Sequence, residues 1–301
     1  MLSIFQYQFI QNAFLAGSMV AVTAALLGYF LVVRGLTFAG HALSNIGFAG
    51  AAGAVLIGVQ PVFGLLAFTL GAGVAISLLG KDIRERDIAV GVIMTFALGL
   101  GVLFLSLYHG YAEQAYSILF GTILGINRMD VRVTAVLGVV IISLLIIVAR
   151  PLLFASFDLD TAEARGVPVR LLEAIFLLMV ALTVSIAMQV VGILLIFALL
   201  VGPPATAIRL VLRPGWSMGL AVLLGLGYTW LGILLAANGA WPVSFYITAL
   251  SFGVYLPVRL FSSFLRGKRS LSIQKVTSRD GVPEVTRNSV PKFMDNEDPH
   301  A

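Results

Sequence analysis

Nine stretches of about twenty apolar residues follow one another down this chain, and nothing constrains its fold more than they do. They lie near residues 10–33, 40–58, 62–80, 88–108, 131–149, 171–190, 192–210, 217–237 and 243–261. A helix needs about 20 residues to cross a hydrocarbon layer of about 30 Å, and in lipid only a helix or a closed barrel satisfies its own backbone. Runs of this length predict helices. The chain therefore reads as an all-α polytopic membrane protein of eight to nine transmembrane helices. Eight results if the pair flanking Val191 stays undivided, because only a very tight turn fits between them. The second run is rich in Gly and Ala and is the weakest of the nine by hydropathy.

Composition agrees: 59% of the 301 residues are hydrophobic, 11% are charged, and the mean hydropathy is +1.03. Soluble domains carry roughly 25% charge. With no cysteine, disulfides, thiolate metal sites and thiol catalysis are excluded together. The N-terminus shows no basic segment ahead of its first apolar run, so no cleavable signal is expected.

Basic residues set the orientation. Lys81, Arg84 and Arg86 mark one loop, Arg150, Arg165 and Arg170 a second, and Arg209 and Arg213 a third, while seven Lys or Arg follow Phe261. Nine spans put all of these on one side, the cytoplasmic one, with the N-terminus outside. The net charge of +5 is accounted for by topology, and no interleaved basic and aromatic surface points to nucleic acid. Residues 1–261 form the transmembrane domain, with a cytoplasmic loop near 155–170. Residues 262–301 form a polar cytoplasmic tail expected to be disordered, with Arg266, Lys268 and Arg269 placed to touch anionic lipid.

Four stretches say more than hydropathy does. In FAGHALSNIGFAG, Phe38 to Gly50, His41 is the single titratable side chain between Arg34 and Lys81. Residues four apart share a helix face, so His41 and Asn45 present an imidazole nitrogen and an amide oxygen to one point. Polar groups there face the bundle interior, either toward a path or in an interhelical hydrogen bond. KDIRERDIAVGVI, Lys81 to Ile93, places Glu85 and Asp87 at the start of the fourth span, where acids suit the helix dipole. FDLDTAEARGVPVR, Phe157 to Arg170, has acids at Asp158, Asp160 and Glu163, alanines at 162 and 164 expected on one face, and a glycine at 166 past the end. That pattern predicts a compact capped cytoplasmic helix, an ordinary charged loop being the plainer reading. GILLIFALLVGPPATAIRL, Gly192 to Leu210, carries Pro203 and Pro204, which kink a helix or mark its end.

Taken in order, these stretches resemble the metal ABC transporter permease family, the membrane subunits of zinc- and manganese-type importers, over residues 10 to 261. The GDALSHAxLPG-like stretch of that family is similar to Gly40, His41, Ala42, Leu43, Ser44, Asn45 and later Gly50. Its acid-containing helix start is similar to Asp87–Gly91, its FDPExAxAxG stretch to Phe157–Gly166, and its VGxLLxxALLVxPxAxA segment to Val191 through Pro204, Ala205 and Ala207. The resemblance implies an ABC importer permease fold in the cell (inner) membrane, working as a homodimer or paired with a similar permease. Two ABC ATPase subunits would bind inside, an extracytoplasmic metal-binding protein would deliver cargo outside, and the cargo would be zinc, manganese or iron. No cofactor is held by this chain on that reading, and ATP stays on the partner, since no GxxxxGK[ST] loop occurs. The chain is expected not to be an enzyme. Asp158, Ala162, Ala164 and Gly166 become the coupling helix, Pro203 and Pro204 a bend or gate, and His41 and Asn45 the metal-contacting positions. The family places an acid at 41 and a histidine at 45, so the pair here is a neutral imidazole and a weak amide oxygen, which opens the question of cargo. Two readings from other classes compete: an ion-coupled secondary transporter with His41 as proton relay, and an intramembrane hydrolase built on Ser44 and His41. His109 falls in a loop and His300 in the tail, outside the spans.

Overall fold

The computed structural model describes residues 7–79, 83–108, 121, 125–239 and 241–277, without the side chains of 83–85, 160, 194 and 263–277. His109, His300 and the tail beyond Thr277 lie outside the described residues, as do the side chains of Arg84, Glu85 and Asp160. Ten α-helices occur among the described residues. They are α1 (Gln8–Val33), α2 (Thr37–Leu56), α3 (Pro61–Leu78), α4 (Ile83–Leu107), α5 (Arg128–Phe157), α6 (Leu159–Ala164), α7 (Val169–Val191), α8 (Ile193–Leu210), α9 (Pro214–Asn238) and α10 (Val243–Thr277). Each apolar run of the sequence coincides with one of them over most of its length, the second, third, fourth and seventh runs extending one or two residues past a helix end. Seven are long and apolar enough to cross a membrane, and α8 adds a shorter apolar helix.

The Gly- and Ala-rich second run is a helix of 20 residues, α2, and packing explains its composition. It is wedged against α3, α4, α7 and α8, and fourteen of its residues are buried. A Cβ on Gly50 would collide with the Gly64 carbonyl of α3, and one on Gly64 with the Gly50 carbonyl. Small residues let backbones approach closely in a bundle. Low hydropathy here records burial against protein rather than exposure to lipid.

At the middle of the bundle α1 and α7 bury two-thirds or more of their apolar windows, whereas α3, α4, α5, α9 and α10 bury a third or less. The core side chains Leu27, Phe30, Leu31, Phe176, Leu177 and Met179 come from these two inner helices. The α7–α8 junction is a single residue, Gly192, at φ +80 and ψ 166. Only glycine takes that conformation without strain, which is how two spans fit where the sequence leaves no loop. The start of α5 is fixed by a capping box, in which the Asn127 side chain accepts from Met129 N and Asp130 N while Asp130 accepts from Asn127 N. At 30 residues α5 is about 45 Å long, so it projects past a 30 Å hydrocarbon core and hands the chain to α6.

Pro203 and Pro204 lie inside α8 and not at its end, and both are buried. Pro204 has no N–H for the Leu200 carbonyl four residues back. Against that freed oxygen lies Gly28 of α1, so close that a Cβ there would overlap it. Pro203 faces Gly225 of α9. Helix α10 keeps a helical backbone through Thr277, past residue 262 where the sequence reading leaves the chain without structure. Leu, Arg, Lys and Gln in that stretch are good helix formers.

Candidate functional site

His41 and Asn45 sit one turn apart on α2, and the structure brings them together. The Asn45 amide nitrogen Nδ2 lies 3.1 Å from His41 Nε2 and donates to the His41 carbonyl at 3.0 Å. An amide NH2 only donates, so this contact is a hydrogen bond for the imidazole tautomer whose Nε2 accepts. Nδ1 is buried with no hydrogen-bond partner. The imidazole packs on Phe197 of α8, with centroids 4.7 Å apart.

A third group at this point was not singled out from the sequence. Met94 of α4 brings its Sδ to 3.5 Å from Asn45 Nδ2, placing a thioether beside an imidazole and an amide. Forty-nine positions separate Met94 from Asn45, and methionine is too common in apolar cores to stand out. Its place two turns beyond Asp87 on one face of α4 is the one available signal. Asp87, Gly91, Met94 and Phe38 together line an open pocket of ≈ 680 Å³. Met94, which touches Asn45, thus shares the lining of this pocket with the Asp87 carboxyl group.

Among the described residues no three of His, Cys, Asp and Glu gather as a metal cage. What one chain offers is two or three neutral donors of mixed softness. Ser44 donates to the Gly40 carbonyl at 3.2 Å, and no hydrogen bond to His41 is shown for it, so the Ser–His arrangement a hydrolase needs is not formed.

The 155–170 loop is a self-contained turn of helix. Asp158 caps α6, its carboxylate accepting from Thr161 N at 3.0 Å and from the Thr161 hydroxyl. These two bonds, the hydroxyl one foremost, hold the Asp158 carboxyl below the usual carboxylate range. At the far end Gly166 N donates to Glu163 O at 2.9 Å and Val167 N to Ala162 O at 3.0 Å, the paired bonds of a Schellman motif, with Gly166 at φ +78. The alanines do not share a face as expected. Ala162 is fully buried against Ala155 and Val169, whereas Ala164 is exposed, because positions two apart on a helix point about 200° apart. Ala162 therefore seats α6 on α5 and α7, leaving Ala164, Glu163 and Arg165 outward.

Residues 6–262 match the ABC 3 transport family. The chain belongs to that family. It is 29% identical to the manganese transport system membrane protein MntC of Halalkalibacterium halodurans, over 88% of this chain and 93% of that protein. To the manganese import system permease protein ScaB of Streptococcus parasanguinis it is 32% identical, over 74% of this chain and 83% of the relative. Its fold superposes on PsaBC from Streptococcus pneumoniae, solved in complex with Fab, with a TM-score of 0.76 at 28% identity, covering 86% of this chain and 95% of that one. The protein is accordingly a multi-pass ABC transporter permease of the cell membrane, and the eight to nine spans read from the sequence agree with this fold.

Proposed function

We propose that this chain is the permease subunit of an importer for a divalent transition-metal ion, with His41 and Asn45 on the translocation path. The carrying observation is their juxtaposition at 3.1 Å on a helix of an ABC 3 family chain, next to Met94, which also lines the Asp87 pocket. Manganese is the cargo named for both relatives and supports this class; zinc and iron are the other ions an imidazole serves well. In this arrangement the Asn45 NH2 faces the imidazole Nε2 at 3.1 Å. Turning the amide over frees Nε2 and presents Oδ1 in one motion, giving a metal two ligands. Two such sets meeting across a homodimer axis would hold the ion through neutral donors, weakly enough to release it. Asp87 supplies the negative charge further along.

In this reading α6 is the coupling helix, engaging an ABC ATPase through the outward face of Asp158–Gly166, and the ATPase alone carries and hydrolyses ATP. The buried Pro203 and Pro204 give α8 a place to bend beside α1 and α9. An extracytoplasmic metal-binding protein delivers the ion.

The test is cellular uptake of zinc, manganese and iron by elemental analysis, in cells lacking the gene and complemented with wild type, His41→Ala or Met94→Leu. Wild type should restore one metal selectively. His41→Ala should cut that uptake by about tenfold or more, within the 10- to 100-fold range seen when metal-site groups are altered, at equal levels of folded protein, and Met94→Leu by a smaller factor. Unchanged content of all three metals would refute the cargo assignment.

A further inference from the structure

A second polar site lies at the basic end of the bundle, where the α1–α2 turn, α4, α6 and α7 converge. Arg34, Leu36, Arg86, Leu159, Val169, Arg170 and Glu173 line a pocket of ≈ 100 Å³, the space of roughly three waters at about 30 Å³ each. Arg86 donates from Nη1 to Glu173 Oε1 at 2.7 Å, and its side chain is only 5% exposed. Its Nε nevertheless has no hydrogen-bond partner, and neither does the buried Nη1 of Arg34. The Arg34 guanidinium lies 6.0 Å from the centre of the Phe176 ring.

Three guanidinium groups and one carboxylate thus lie among the described lining residues, and the ion pair shown there is Arg86–Glu173. Buried charge that is neither paired nor fully hydrogen-bonded is costly. Arg34 registers the imbalance: burial pushes its pKa down, Glu173 partly offsets this, and Arg86 adds to the depression. An oxyanion would supply what is missing, namely a negative charge and several acceptors for donors already in place, which suits guanidinium geometry. Arg34 follows directly on the last residue of α1, at the end of a helix long and apolar enough to cross a membrane, where anionic headgroups attract basic side chains. The walls contributed by Leu36, Leu159 and Val169 are apolar and leave room for little more than one such group.

We propose that this pocket binds a phosphate group, presented by an anionic phospholipid headgroup or as free inorganic phosphate. The site shares no residue with the His41–Asn45 turn and requires no metal, so it stands whatever the cargo. Because Leu159 of α6 forms one wall, an occupied pocket ties the capped helix to α1, α4 and α7.

The experiment is thermal unfolding of the purified full-length protein in detergent with inorganic phosphate or chloride at equal ionic strength. A parallel arm uses discs of phosphatidylglycerol or phosphatidylcholine. Phosphate should raise the melting temperature by about 3 °C or more at saturation, with chloride giving no comparable rise. Phosphatidylglycerol discs should outperform phosphatidylcholine discs if a headgroup is the source; a response to free phosphate alone assigns the site to the soluble anion. Arg86→Gln strips Glu173 of its partner and is expected to lower the folded yield by itself, so Arg34→Gln and the exposed Arg170→Gln carry the test, each reducing the shift at least about twofold. Equal shifts from chloride, no shift in either arm, or a full shift retained in both variants overturns the proposal.

Discussion

The helix that carries His41 and the short helix that carries Asp158 are both polar interruptions of an apolar chain, and they are built in opposite ways. Helix α6 is specified locally: its cap, its glycine stop and the bonds that close it all lie between Asp158 and Val167. The His41 region is specified by its neighbours, since Gly64 of α3, Met94 of α4 and Phe197 of α8 are what hold it. A locally specified element tolerates changes in its surroundings but not in its own few residues. One held by neighbours fails when any close approach is blocked.

That contrast is broken or sharpened by three experiments, the largest effect first. Gly50→Val drives a branched side chain into the α3 backbone, and overpacking of this kind costs about 1–3 kcal/mol or more. Folded yield in detergent should fall sharply and uptake with it; a normal yield would show that α2 and α3 can separate. Gly166→Val puts a branched residue at φ +78, a strain of about 1–2 kcal/mol, and should fray α6 while sparing the bundle. Membrane insertion and melting should stay near wild type while uptake drops several-fold and co-purification with the ATPase weakens. Loss of insertion would mean that α6 is not the independent unit described.

The smallest effect comes from acid. Because the Asp158 carboxyl is held below its ordinary range, its cap contributes stability above the unfolded pKa and loses it as pH falls through the lower folded value. Uptake should therefore be insensitive to this group near neutrality. Protection of the α6 amides, read by hydrogen exchange, should diminish only under acidic conditions below the usual carboxylate range, and Asp158→Asn should remove that pH dependence.

Legibility in the sequence divides along the same line. The nine apolar runs, the tight junction, which the sequence puts at Val191 and the structure at Gly192, and the cap and stop of α6 are all readable because each rests on neighbouring residues. The His41–Asn45 pairing was readable too, being one helical turn. Met94 and the Arg34–Arg86–Glu173 cluster were not, since Arg86 and Glu173 meet across 87 positions and a single sequence carries no trace of such encounters. Ala162 and Ala164 fall on different faces, because alternation belongs to strands and on a helix a pair two apart splits between inside and outside.

The one-residue junction at Gly192 has a mechanical consequence. Helix α7 starts at Val169, which packs on Ala162 of α6, and ends at the joint; Phe197, packed at a tilt against His41, lies five residues beyond it. On the proposed function, a junction with no spare residues has little slack, so an axial push from the ATPase at Val169 would be carried toward the ring beside the imidazole. The long rod and short elbow would then form a lever, its input arm resting on the capped turn and its output arm on Phe197.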